Sequence, residues 1–160
     1  MQLSISHRDP VSRAQRNDEN VVRLSSIVKR RVLLVEDEVL VGMMMRDILE
    51  ENGLSVVGPC VSVADAVTAL GSGDLSCAIL DLNLGGQATY EIARSLVDRG
   101  VPYAFVTGYG RESIDAVYRD APILQKPVVR EELIAFLRNA LGSVATAAAV
   151  DISIQSHADV

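Results

Sequence analysis

Four apolar runs in the chain each end in a polar residue: Val32 to Val35 before Glu36 and Asp37, Ala78 to Leu80 before Asp81, Ala104 to Val106 before Thr107, and Ile123-Leu124 shortly before Lys126. If these runs are parallel strands, their polar ends collect at one edge of a sheet, which is where open α/β sheets place their ligands. Carboxylates, a hydroxyl and an ammonium gathered at such an edge make a site for a divalent cation and a phosphoryl group. The ammonium is a selected residue rather than a default one. The chain holds thirteen Arg and two Lys, with Lys29 in a polar leader and Lys126 alone in the body.

Two carboxylates about 4 Å apart repel by about 4 kcal/mol at an effective dielectric of 20, so the group needs a cation or must take up protons. Lys126 offers one positive charge, and Mg2+ would supply the rest. Magnesium favours a few carboxylates, a carbonyl and retained waters, then a substrate phosphate. The segment Leu82-Asn83-Leu84-Gly85-Gly86 after Asp81 is a loop able to wrap such a ligand. His7 and His157 both lie in the end segments, which excludes a zinc site or a Ser-His-Asp triad from the body.

The elements that would position these residues alternate along the chain. Apolar runs predict strands over 31–36, 54–58, 76–80, 102–106 and 121–124, and amphipathic stretches predict helices over 39–52, 62–71, 87–99, 111–119 and 128–141. Strict alternation implies an α/β fold, a five-stranded parallel sheet doubly wound by five helices. Gly53 fits a helix C′ position, Ser62 with Asp65 a capping box variant, and Gly100 with Pro102 a stop after the third helix. In the last helix Leu133, Ile134, Leu137 and Leu141 form the core-facing stripe. Of Met43, Met44 and Met45 in the first helix, two are expected in the core and one on the rim. Glu38 is expected to serve as a helix N-terminal charge favourable to the dipole rather than as a ligand.

Composition narrows the function. A chain of 160 residues suits one domain with tails. An apolar content of 49% with no Trp, two Phe and four Tyr indicates an aliphatic core, as buried parallel sheets have, and gives no stacking platform for nucleic acid. Residues 1–31 carry seven basic and three acidic side chains, and residues 32–160 carry eight basic and eighteen acidic. An acidic body is a poor fit to DNA phosphates, so no nucleic-acid partner is expected. Residues 1–29 read as a disordered polar extension and residues 143–160 as a tail, with weak period-two alternation over 150–155. No signal-peptide core and no run near the ~18 apolar residues of a membrane span occur, so the expected location is cytoplasmic, without a membrane partner. Cys60 and Cys77 fall at opposite edges of the expected sheet, too far apart for the ~7 Å a disulfide allows, and are read as reduced structural thiols.

Taken in order, Val35-Glu36-Asp37-Glu38, Leu80-Asp81, Val106-Thr107-Gly108 and Gln125-Lys126-Pro127 resemble the receiver domain of two-component response regulators, across roughly residues 30–142. The resemblance implies a flavodoxin-like sheet of order 2-1-3-4-5 with Asp81 as phosphoacceptor. It implies Mg2+ held by Asp37, Asp81 and the backbone carbonyl of Asn83, with Glu36 acting through a water. Thr107 and Lys126 would each meet a phosphoryl oxygen, the Lys126-Pro127 bond would be cis, and the donor would be a phosphohistidine on a sensor histidine kinase. Many receivers carry Tyr or Phe three residues before the lysine, where this chain has Ile123. The segment Phe105-Val106-Thr107-Gly108-Tyr109-Gly110 instead resembles the FAT GUY subfamily, often single-domain partners of HWE-type kinases. In that subfamily Tyr109 is either part of the signal relay or a rim residue.

The expected function is a single-domain regulator without an effector domain. It would signal by phosphorylation-dependent protein contact, kinase feedback or phosphate-sink action. Its target or a homodimer partner would sit on the face of helix four, strand five and helix five. A constitutive pseudo-receiver is the alternative, opposed by the intact Asp81, Thr107 and Lys126. A haloacid-dehalogenase-like phosphatase would want a second Asp two residues after the nucleophile, and that position is Asn83. Turnover of a separate substrate is therefore not expected, and a flavin is disfavoured for want of a phosphate-binding loop.

Overall fold

The computed structural model describes residues 30–142, and the expectations for the extension 1–29 and the tail 143–160 lie outside the described residues. In chain order the elements are β1 (Arg31–Val35), α1 (Val39–Glu51), β2 (Ser55–Cys60), α2 (Val63–Leu70), β3 (Cys77–Asp81), β4 (Asn83–Leu84), β5 (Gln87–Ala88), α3 (Tyr90–Asp98), β6 (Tyr103–Thr107), β7 (Ile123–Gln125) and α4 (Arg130–Leu141). Five of the strands form a parallel sheet of order β2-β1-β3-β6-β7, and β4 and β5 pair as a small antiparallel hairpin. Counting only the sheet strands, this is the order 2-1-3-4-5.

Alternation along each buried strand feeds two cores. Val32, Leu34, Cys77, Ile79, Ala104 and Val106 pack toward α1 and α4 with Met45, Leu49, Leu133 and Leu137. Leu33, Val35, Ala78, Leu80 and Phe105 pack on the other side against Ala66, Ile92, Leu96 and Ile114. Each fully buried Val, Leu, Ile, Phe or Met side chain among these contributes about 1.5–3 kcal/mol, so the three central strands are the rigid platform for whatever sits at their ends. Ser62 caps α2 as expected, accepting from Asp65 N–H at 3.1 Å. In β2 the chain bulges at Gly58, whose φ of 113° and whose position, with any Cβ 2.4 Å from the Leu34 carbonyl oxygen, admit no side chain. Both cysteines are buried and free.

Three expectations need correction. The helix expected over 111–119 is replaced by two 3-10 turns, Arg111–Ser113 and Ala116–Tyr118, so among the described residues four helices cover the sheet, and the face named from helix four is built by these turns with β7 and α4. The break falls at Ile114 and Asp115, both extended with ψ near 138° and 137°. There the Asp115 N–H donates to the Tyr90 hydroxyl at 2.8 Å, and its carboxylate accepts from Val117 N–H at 3.0 Å. The space a helix would fill is taken by rings: Tyr118 stacks on Tyr90 with centroids 5.0 Å apart, and Phe105 meets both edge-on. Secondly, α3 starts at Tyr90 rather than 87 because residues 83–88 close the hairpin. Lastly, one methionine of α1 is in the core, not two. The buried stripe runs Gly42, Met45, Ile48, Leu49, which turns Met43 and Met44 to solvent.

Candidate functional site

Backbone hydrogen bonds between strand ends set the position of each side chain before any ligand is considered. Glu36 N–H donates to the Cys60 carbonyl at 3.0 Å, Leu82 N–H to Val106 at 2.9 Å, and Lys126 N–H to Thr107 at 2.8 Å. These bonds carry the parallel pairing one residue beyond β1, β3 and β7. They place Glu36, Asp81, Thr107 and Lys126 at the same C-terminal edge of the sheet, and the Lys126-Pro127 bond is cis. Thr89, fully buried, closes the loop after Asp81 by donating its hydroxyl to the Asp81 carbonyl at 2.7 Å.

The charged centre is one ammonium among three carboxylates. Lys126 Nζ donates to Glu36 Oε1 at 3.1 Å, to Glu38 Oε1 at 2.6 Å and to Asp81 Oδ2 at 2.8 Å. The other Asp81 oxygen accepts from Asn83 N–H at 3.0 Å. Oxygens of Glu36, Glu38 and Asp81 all lie within 4.8 Å of one another. Asp37 is adjacent but outside this group, with its Oδ2 accepting from Gly85 N–H at 2.9 Å. Thr107 is buried beside the cluster, where its Oγ1 accepts from Tyr109 N–H at 3.0 Å. The Tyr109 ring is exposed, so its link to the site is through its backbone.

Burial raises the Glu36 carboxyl to about 7, outweighing the hydrogen bonds from Glu38 N–H and Lys126 that lower it, with the charge of Asp81 adding to the rise. Burial also acts to lower the Lys126 ammonium, but hydrogen bonds from Asp81, Glu38 and Glu36 outweigh it and hold the group above its ordinary range. Three carboxylates against one lysine leave an excess of negative charge. Among the described residues, Glu36 Oε2 is a buried side-chain atom with no hydrogen-bond partner. An acceptor so placed, beside Asp81, fits a hard oxygen-seeking cation or a water bound to one. The donor set is all oxygen, as Mg2+ requires.

Two residues of this site were not assigned to it from the sequence. Glu38 was read as a helix charge. It does occupy the N-cap position of α1, yet its side chain makes no cap hydrogen bond and turns to Lys126 instead. Its place directly after the acidic pair was the available signal. Thr89 gave no signal, because its role depends on the hairpin that returns the chain to Asp81.

Residues 32–138 match the model of the response regulator receiver domain. The solution structure of SdrG from Sphingomonas melonis Fr1 is 38% identical, with a TM-score of 0.63, over 71% of this chain and 96% of that one. A BeF3-activated conformation of SdrG from Pseudomonas melonis Fr1 is also 38% identical, with a TM-score of 0.60, over 69% of this chain and 95% of that one. The response regulator PhyR from Brucella abortus shares the fold at 23% identity and a TM-score of 0.63, over 80% of this chain and 55% of that one. No curated protein matches the chain. With the family model covering most of the sheet and every strand end described above, the chain belongs to the response regulator receiver domain family.

Proposed function

We propose that Asp81 accepts a phosphoryl group from a phosphohistidine of a sensor histidine kinase and that the product changes the protein's contacts with partners. The observation that carries this reading is the Asp81 carboxylate itself. It sits at a strand end, one oxygen on Lys126 and the other on a main-chain N–H, beside an unpartnered buried glutamate oxygen. A carboxylate needs no general base to attack phosphorus, so the work left to the protein is positioning and charge stabilisation. In the step, an Asp81 oxygen forms the new P–O bond as the P–N bond of the phosphohistidine breaks, and the imidazole keeps the electron pair. Lys126 is placed to neutralise one phosphoryl oxygen and the Thr107 hydroxyl to donate to another. Asp37, Asp81 and the Asn83 carbonyl would hold Mg2+, with Glu36 acting through a water, and the ion when bound supplies charge neutralisation on the phosphoryl oxygens. The BeF3-activated conformation of SdrG supports the same reading, because BeF3− has the shape and charge of a phosphoryl group.

Receiver domains are signalling modules, without turnover of a separate substrate. Within the family, Phe105 to Gly110 and the aliphatic Ile123 support assignment to the FAT GUY subfamily and to an HWE-type kinase donor. The output face would then be the 3-10 turns of residues 111–118 with β7 and α4, coupled to the site through the Thr107 to Tyr109 hydrogen bond. The test is transfer of labelled phosphate from an autophosphorylated HWE-type kinase, with and without Mg2+. Wild type should acquire base-labile, hydroxylamine-sensitive label only with Mg2+. Asp81→Asn should acquire none while keeping its circular dichroism spectrum. Label on Asp81→Asn would overturn the assignment, and an unlabelled wild type across competent kinases would favour a constitutive binding module.

A further inference from the structure

An ammonium has three N–H donors, and in this structure Lys126 spends all three on carboxylates, those of Glu36, Glu38 and Asp81. For Lys126 to meet a phosphoryl oxygen, one of these bonds must be given up. Asp81 is the group that carries the phosphoryl, and Glu36 is buried with a side chain 0% exposed, so releasing it takes the ammonium from a buried carboxylate whose Oε1 would keep one partner, the Glu38 N–H at 3.0 Å, and whose Oε2 has none. The Glu38 side chain is 61% exposed, and water can replace the lysine on it at small cost. Nor is the Glu38 side chain held by a capping hydrogen bond to α1. We infer that Glu38 is a positioning residue, the counter-ion that holds Lys126 in the resting site and hands it over to the phosphoryl group. This inference rests on the phosphoacceptor reading above and adds to it a residue that sets how readily Asp81 is loaded.

Exposed pairs of this kind are worth a fraction of a kcal/mol to about 1 kcal/mol, which corresponds to a change of about two- to fivefold in rate. Glu38→Gln keeps the shape and removes the charge. With acetyl phosphate as donor and saturating Mg2+, labelling of Glu38→Gln should be about two- to fivefold faster than that of wild type. The second readout separates a hand-over from simple repulsion of an anionic donor. In wild-type protein the Glu38 carboxyl carbon resonance, assigned by its loss in Glu38→Gln, should move on addition of Mg2+ and beryllofluoride toward that of the exposed Glu131 and Glu132. Faster labelling together with the moving resonance supports the inference. Unchanged or slower labelling overturns it, and so does faster labelling with an unmoved Glu38 resonance. If wild type takes no label on Asp81 from any donor, it is the phosphoacceptor reading that fails.

Discussion

At the N-terminal edge of the sheet guanidinium groups lie on main-chain carbonyls, Arg30 on Leu141, Arg31 on Ser72 and Arg99 on Leu70, whereas at the C-terminal edge one ammonium, Lys126, faces three carboxylates. Arg30 and Arg99 close helix ends, where carbonyls lack partners, and Arg31 closes the turn after α2; their planar forks suit that fixed geometry. Each of these three guanidinium groups meets a neutral acceptor. The opposite edge is under-compensated: three carboxylates share one cation, and a buried oxygen has no partner. The same fold thus closes carbonyls with arginines at one edge and leaves the other short of positive charge, able to gain by binding a cation. The contrast also explains why a chain of thirteen arginines keeps a lysine in its body. A compact ammonium can point its donors at three converging oxygens and later redirect one.

The largest effect expected from breaking this contrast is at Glu36. Burial lifts its carboxyl from an ordinary value of 4.5 to about 7. A carboxyl raised in the folded state binds its proton more tightly there than in the unfolded chain. Folding stability from this group is therefore full below about 4.5 and falls as pH climbs to about 7. In the absence of divalent cations, wild type should lose up to about 3 kcal/mol relative to Glu36→Gln across that window, read from urea midpoints at a series of pH values. Parallel pH profiles for the two proteins would show that Glu36 is not under such pressure. Added Mg2+ should flatten the wild-type curve by relieving the same charge.

Next in size is Lys126→Arg, which keeps the charge and changes only its shape. A guanidinium is longer and holds its donors in one plane, so it cannot satisfy three oxygens that converge on a point. Labelling of Asp81 should fall about tenfold, equivalent to about 1.4 kcal/mol of lost transition-state stabilisation, while the circular dichroism spectrum is unchanged. Retention of the wild-type rate would mean that charge alone, without the compact geometry, is what the site uses.

These strand-end residues were legible because each terminates an apolar run, and a parallel sheet has a single edge at which such ends can meet. Glu36, Asp81, Thr107 and Lys126 follow from that rule alone. Glu38 was not legible as part of the cluster because its pairing depends on the reach of Lys126 from the far side of β3 and β6. The 3-10 turns of residues 111–118 were hidden for a related reason. The local sequence tolerates a helix, but the Tyr90 hydroxyl takes the Asp115 N–H and the Tyr90–Tyr118 stack fills the volume, both from partners more than twenty residues away. Tertiary contacts of that range override local propensity.

The smallest effect lies at the arginine edge. Arg31 donates from Nη1 to the Ser72 carbonyl and from Nη2 to the Ser72 hydroxyl, both at 2.9 Å. It lies so close over Gly73 that a Cβ there would stand 2.5 Å from Nη1. In Arg31→Lys the charge stays but the two-pronged contact cannot form, because one ammonium does not span the carbonyl and the hydroxyl in the same geometry. These bonds are solvent-exposed, so the loss should be about 0.5–1.5 kcal/mol in urea unfolding. Asp81 labelling should be unaffected, since Arg31 begins the strand whose other end carries Glu36. The pair of substitutions then becomes diagnostic. A lysine-for-arginine exchange at one edge costs stability and spares labelling, and an arginine-for-lysine exchange at the other costs labelling and spares the fold. Should Arg31→Lys slow labelling as much as Lys126→Arg does, the two edges would have to be mechanically linked through β1, and the division of labour drawn here would give way to a single cooperative unit.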